Sequence, residues 1–300
     1  MVRVQVPATT ANLGPGFDCL GMALQLYNMV EFSITPSGLQ IEVQGEGSPD
    51  LPRDESNLVY QAALKVFRQA GYNPPGLKIK LNNNIPVARG LGSSTAAVVG
   101  GMIAANMVAG GKLEQNEIIG LACAMEGHPD NVAASVLGGI VVAVPADGEV
   151  RCVKIPPPKN LRAAVSVPEF PLSTRVSRDA LPQQVAMSDA IFNLGRVALL
   201  VSSLHNGDIS QLGVAMEDRL HQPYRTALIP GMKKVFAAAR LAGARGITLS
   251  GSGPTIIAYA DSNLDLIARV MRDTFKQNGV KARSMILGIS PVGARALEIK

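Results

Sequence analysis

Apolar and polar positions change period repeatedly along this chain, and each change marks an element. Val2 to Val6 alternates as a half-buried strand, and Pro7 to Asp18, rich in glycine, proline and small polar residues, predicts a long loop. Met29 to Thr35 and Leu39 to Val43 predict strands joined by a turn at Pro36-Ser37-Gly38. Asn57 to Ala70 predicts a helix, with Ser56 as N-cap, Leu58, Ala62 and Val66 on an imperfect apolar face, and Gly71 as its stop. Leu77 to Leu81 alternates again and leads into the small-residue stretch Pro86 to Ala96, which turns directly into an apolar helix. Leu113 to Met125 carries Ile118, Leu121, Ala122 and Met125 at helical spacing. Glu126 to Asn131 ends that helix, and Gly139 to Val144 predicts a buried strand.

Pro156-Pro157-Pro158 follows a polar, turn-rich stretch and divides the chain into candidate domains 1–155 and 156–300. The second half predicts strand Arg162–Val167, a loop holding Ser173 to Arg178, and helices near Met187–His205, Ile209–Arg219 and Met232–Ala242. Strand Gly246–Leu249, a turn at Ser250 to Pro254, strand Thr255–Ala260, helix Leu264–Asn278 and strand Lys281–Leu287 follow. Short strands alternating with helices, two of them meeting at a tight turn, predict an α+β layer with helices on one face. The expectation is a two-domain α+β protein.

Composition narrows the classes. With 47% hydrophobic and 17% charged residues the chain has material for a core, and with 4% aromatics that core must be Ala, Val, Leu, Ile and Met. The net charge of +5 is scattered, with no basic block or basic-aromatic interleaving, which argues against nucleic acid and fits small anionic ligands. Cys19, Cys123 and Cys152 are far apart and include no C-x-x-C, so neither a disulfide framework nor a zinc site is expected. The first residues lack the apolar run of a signal peptide, and Thr95 to Gly111 is too short and glycine-interrupted to cross a membrane. A cytoplasmic protein is expected.

The stretch Pro86 to Ala96 carries the first chemistry. Gly90 and Gly92 lack Cβ, so the backbone can take positive φ and lie against a ligand, and Ser93 and Ser94 stand where a helix begins. Free N–H groups at the positive end of a helix dipole suit phosphate. No lysine follows the glycines as in a Walker A loop, and the glycine spacing is not that of a Rossmann fingerprint. A tight turn before a packed helix fits the same residues.

Three glycine-rich landmarks then stand in order: Pro7-Ala8-Thr9-Thr10-Ala11-Asn12-Leu13-Gly14-Pro15-Gly16-Phe17-Asp18, the central loop, and Ser250-Gly251-Ser252-Gly253-Pro254-Thr255. Together they resemble the GHMP kinase superfamily, whose central motif is P-x-x-x-G-L-G-S-S-x-A. Asn-Leu-Gly-Pro-Gly-Phe-Asp with Glu-Gly-His-Pro-Asp-Asn resembles its homoserine kinases. The resemblance implies a ribosomal-protein-S5-like α/β domain followed by a ferredoxin-like α+β domain. It implies ATP-dependent phosphorylation of L-homoserine to O-phospho-L-homoserine, a step toward threonine, with Mg²⁺. By the same resemblance Pro86, Val87, Ala88, Arg89, Gly90, Leu91, Gly92, Ser93, Ser94, Thr95, Ala96, Asn57 and Gly251 would hold the nucleotide, and Ser94 and Glu126 the metal. Asn12, Asp18, His128, Arg178 and Arg225 would hold the amino acid, and Asp18, Asn131 and Thr174 would stand nearest the reaction. Arg175 competes with Arg178, and Asn57 reads equally as a helix cap. Because Asn131 is an amide, attack by the hydroxyl without a side-chain base is implied. A kinase of another small alcohol, such as mevalonate or a sugar, and a silent nucleotide-binding regulator are the alternatives. A homodimer is compatible with the chain.

Overall fold

The computed structural model describes residues 1–299; Lys300, the end of the expected second domain, lies outside them. The first layer runs β1 (Val2–Ala11), β2 (Leu20–Ile34), β3 (Gly38–Gly45), α1 (Leu58–Ala70), β4 (Gly76–Asn83), α2 (Ser93–Val108), α3 (Gln115–Glu126), α4 (Pro129–Leu137), β5 (Ile140–Ala146) and β6 (Glu149–Ile155). The second runs β7 (Arg162–Pro168), α5 (Thr174–Asp179), α6 (Met187–Asn206), α7 (Leu212–Ala215), α8 (Gln222–Arg225), α9 (Met232–Leu241), β8 (Gly246–Leu249), β9 (Ile256–Ala260), α10 (Leu264–Gln277) and β10 (Ala282–Gly288). A last strand, β11 (Arg295–Ile299), returns to the first layer.

Two sheets result. One has the order β11-β1-β2-β4-β3, with β5 on β2 and β6 on β5, and only the β3–β4 pair is parallel. The other is antiparallel in the order β10-β7-β9-β8. Because side chains alternate across a strand, β7 sends Ala163, Val165 and Val167 into the core shared with the first layer and Ala164 to the core beneath α9 and α10. Strand β9 divides its residues the same way, Ile257 and Tyr259 against Ile256 and Ala258. The layers therefore share one apolar core, and a second lies beneath α9 and α10.

Several local expectations are corrected. Strand β1 continues past Pro7 to Ala11, because a register shift between Pro7 and Ala8 absorbs the missing N–H and lets buried Thr9 and Thr10 pair with β2. Strand β2 starts at Leu20, well before Met29, and Glu149 to Ile155 forms a strand where loop was expected. Asn57, not Ser56, caps α1: its side chain accepts the Val59 N–H at 3.0 Å, while the Ser56 hydroxyl bonds Asp54 at 2.6 Å. Ser173 caps a short helix, α5, where loop was expected. Residues 209–219 break into a 3₁₀ turn and the single-turn α7. Strand β11, within the stretch 156–300 expected as a second domain, pairs antiparallel with β1. Helix α6, with mean hydropathy 1.2, is by length and composition apolar enough to cross a membrane, and it exposes Met187, Ile191 and Leu194.

Candidate active site

The loop between β4 and α2 delivers what its glycines promise. Ala88, Gly90 and Gly92 all have positive φ (54°, 79° and 69°). The N-cap of α2 is Gly92, which offers no side chain, and Ser93 and Ser94 open the helix rather than cap it. The first bond of the helix is Ala96 N–H to the Gly92 carbonyl at 2.8 Å, so the N–H groups of Ser93, Ser94 and Thr95 have no acceptor within the helix. They face a cavity of about 520 Å³ at the positive end of a sixteen-residue helix. The loop is clamped from both sides. Thr9 N–H bonds the Leu91 carbonyl at 3.1 Å, and the Ser250 hydroxyl bonds the Gly90 carbonyl at 2.6 Å.

Glu126 closes α3 opposite this helix start. Its carboxylate accepts the Ser94 hydroxyl at 2.7 Å and the Thr95 hydroxyl. Among the described residues no cluster of three His, Cys, Asp or Glu could hold a metal ion. Two hard oxygens at the mouth of a phosphate loop fit Mg²⁺, which takes few protein ligands and completes its shell with water and phosphate. Thr174, first residue of α5, lines the same cavity with its hydroxyl 3.4 Å from Ser252. Leu51, Pro52, Val59 and Met125 give the same cavity apolar lining. Asn57 lines it too, although its amide already caps α1 and donates to the Pro52 carbonyl at 2.7 Å.

Beside the cavity lies a charged corner. Arg178 Nη2 and Nη1 donate to the two Asp18 carboxylate oxygens at 2.6 and 3.0 Å. Arg175, by contrast, is 92% exposed, so geometry favours Arg178. Asn12 is buried and holds this corner together: its amide donates to the Gly251 carbonyl at 3.0 Å and accepts the Asp18 N–H at 3.0 Å. Arg225 is buried beneath Phe17, with its guanidinium 5.4 Å from that ring. Burial, and then Arg178, pulls its pKa down to about 10, which leaves it charged at neutral pH.

His128 and Asn131 join cavity to corner at the start of α4. His128 Nδ1 lies 3.0 Å from Asp130 Oδ1, an acceptor that assigns the proton to Nδ1 and leaves Nε2 for the cavity. Asp130 is 2% exposed and also accepts the Asn131 N–H at 2.6 Å, so it faces inward as a brace for its neighbours. The Thr9 hydroxyl donates to Asn131 Oδ1 at 2.6 Å, which fixes the amide.

Comparison with known proteins decides what carries this geometry. Family models for the GHMP kinases N terminal domain and the GHMP kinases C terminal match residues 57–139 and 200–277. The homoserine kinase of Moorella thermoacetica is 48% identical over 281 residues, 94% of this chain and 95% of the relative. That of Desulfitobacterium hafniense is 44% identical over 298 residues, 99% of this chain and 100% of the relative. This chain belongs to the homoserine kinases of the GHMP family. The crystal structure of homoserine kinase from Cytophaga hutchinsonii superposes with a TM-score of 0.89 at 33% identity, covering 99% of this chain and 97% of that one. Mevalonate kinase of L. major (TM-score 0.73, 18% identity, covering 95% of each chain) shares the fold alone.

Within this homoserine kinase family member, the site brings most of the expected residues to one place. Val87, Ala88, Arg89, Gly90, Gly92, Ser93, Ser94, Thr95, Ala96, Glu126, His128, Asn131, Thr174 and Gly251 line the cavity. Leu91 points into the core and Pro86 lines an adjoining hollow instead. The Arg89 guanidinium turns away to the carbonyls of Val87, Pro168 and Glu169, so it ties the loop to the second layer. One residue was not legible: His221, to which the sequence alone gives no role, is fully buried behind Arg225. Asp218 escaped notice too, although it sits four residues before a proline-containing turn and takes the N–H groups of Leu220, His221 and Gln222. The D-x-x-x-Q-P spacing was the available signal.

Proposed function

We propose that this chain catalyses ATP-dependent phosphorylation of the homoserine hydroxyl, with the nucleotide in the cavity and the amino acid in the charged corner. The observation that carries this is the adjacency of a phosphate-binding helix start to a corner holding one carboxylate and two guanidinium groups. A kinase of a neutral alcohol needs the first and not the second. Roles follow from chemistry. The uncapped N–H groups of Ser93, Ser94 and Thr95 hold phosphate oxygens in place of a P-loop lysine. Ser94 and Glu126 would hold Mg²⁺, which when bound neutralises charge on the phosphates. Asp18, oriented through Asn12, takes the ammonium of the amino acid, and Arg178 and Arg225 take its carboxylate.

Asn131 and His128 stand between the two subsites and orient the hydroxyl. Asn131 cannot accept the proton and Asp130 is occupied with His128, so the hydroxyl oxygen attacks the γ-phosphorus directly as the bond to the β,γ-bridging oxygen breaks and ADP leaves, and the hydroxyl proton passes to a phosphoryl oxygen. Positioning and charge neutralisation supply the catalysis. Residues 1–155 with β11 carry the phosphate loop, and the second layer supplies Thr174, Arg178 and Arg225 to complete the site. The test is ATP consumption with homoserine, serine, mevalonate and galactose. Turnover confined to homoserine is expected; turnover only with mevalonate or galactose, or with none, overturns the proposal.

A further inference from the structure

The imidazole of His221 is fully buried between two layers, and its partners leave it one protonation state. Its Nε2 lies 2.7 Å from the Gly14 carbonyl, which can only accept, so Nε2 carries a hydrogen. Its Nδ1 lies 2.8 Å from Arg225 Nη1, which can only donate, so Nδ1 carries a lone pair. An imidazolium would point an N–H at the guanidinium. Burial, the main influence, also lowers the pKa of His221. Asp218 Oδ2 is 3.5 Å from Nε2 but already accepts the backbone N–H of His221 at 3.1 Å and of Gln222 at 2.7 Å. Phe17 stacks on the ring at 5.1 Å, with Arg178 and Asp18 beyond it.

We infer that neutral His221 is a positioning residue for the homoserine subsite: its Nδ1 lone pair fixes Arg225, while its Nε2–H ties the same guanidinium to the loop that carries Phe17 and Asp18. This rests on the proposed contact of Arg225 with the substrate carboxylate. The remaining bonds of Arg225 go to the Ser177 carbonyl from Nε at 3.2 Å and to Gly251 from Nη1 at 3.4 Å, both long. The 2.8 Å bond to His221 is thus the shortest constraint on where the guanidinium sits. Because a carboxylate bound by two arginines needs both forks correctly turned, a loose Arg225 costs substrate affinity before it costs chemistry.

Two substitutions separate this role from simple space filling. His221→Gln keeps a donor near Nε2 for Gly14 but removes the acceptor at Nδ1; His221→Asn keeps an acceptor near Nδ1. The expected result is a rise of about tenfold or more in homoserine KM for H221Q, with ATP KM unchanged, and recovery to within about threefold for H221N. Equal behaviour of the two variants overturns the inference. Arg225→Ala serves as the reference, and an unchanged homoserine KM there would remove the underlying carboxylate contact and the inference with it. If either histidine variant fails to fold, nitrogen NMR of the intact protein decides. A neutral Nε2–H tautomer is expected at neutral pH, and an imidazolium or an Nδ1–H tautomer there refutes the assignment.

Discussion

Asp18 and Arg178 satisfy each other across the two layers, guanidinium fork to carboxylate, in the corner proposed to take the amino acid. The pair is about one-third exposed on each side, so water screens it and its net stabilisation is small. In the proposed site its consequence is selectivity. A zwitterion can part the pair and give each charge a new partner, ammonium to Asp18 and carboxylate to Arg178. A neutral alcohol that enters leaves the pair closed, and an alcohol with only a carboxylate strands Asp18.

Asp18→Asn should therefore raise homoserine KM by about tenfold to a hundredfold while leaving ATP KM unchanged, since a charge-assisted partner of the ammonium is lost. The variant should also narrow the gap between homoserine and an analogue lacking the amine, such as 4-hydroxybutyrate. Steady-state kinetics with each acceptor at saturating ATP checks both points. An unchanged homoserine KM would place the ammonium elsewhere.

Glu126→Gln removes charge from the proposed metal ligand while keeping one oxygen, enough to accept one of the Ser94 and Thr95 hydroxyls. A fall in kcat of at least about tenfold is expected, equivalent to roughly 1.4 kcal/mol of transition-state stabilisation. Titration of kcat with Mg²⁺ reads the effect, and a wild-type rate at saturating Mg²⁺ would take Glu126 out of the metal shell.

Gly90 and Gly110 both hold positive φ, 79° and 91°, yet their surroundings differ. A Cβ at Gly90 would stand 2.3 Å from the Ser250 carbonyl oxygen, and one at Gly110 would meet open space. Gly110→Ala should cost only the backbone strain, about 1 kcal/mol, with catalysis intact. Gly90→Ala adds a backbone clash that no rotamer relieves, so it should cost about 2 kcal/mol or more and raise ATP KM. Denaturant titrations and ATP kinetics of the two variants make the comparison.

Much of this was legible in the sequence because local chemistry decided it. The phosphate loop is contiguous, and its glycines and serines declare themselves. The helix of Leu58 to Ala70 and the strands after Arg162 follow from period alone. Strand β1 beyond Pro7 was not legible, because a bulge decided at the β2 interface overrides what a proline says by itself. Nor was β11, whose place beside β1 is a contact across almost the whole chain. The site divides the same way. Asp18 and Arg178 could be named singly, but their pairing spans 160 positions, and His221 became interpretable only once Gly14 and Arg225 stood on either side of it.

The His128–Asp130 pair gives the site a pH dependence of known sign. The hydrogen bond to Asp130, chiefly, raises the pKa of His128 in the folded protein, against the opposing effect of burial. A group whose pKa is raised by folding stabilises the fold fully below its unfolded value, near 6.5, and that contribution disappears as pH rises through the folded value. Asp130→Asn removes the charged acceptor and keeps its size. The stability lost by this variant should therefore be larger at about pH 5.5 than at about pH 8.5, by on the order of 1 kcal/mol. The Asn131 N–H bond to Asp130 is lost or weakened at both values and cancels in the comparison. Denaturant titrations at the two pH values, with a proton NMR titration of His128, measure the difference; a loss independent of pH would mean that the imidazole draws nothing from Asp130.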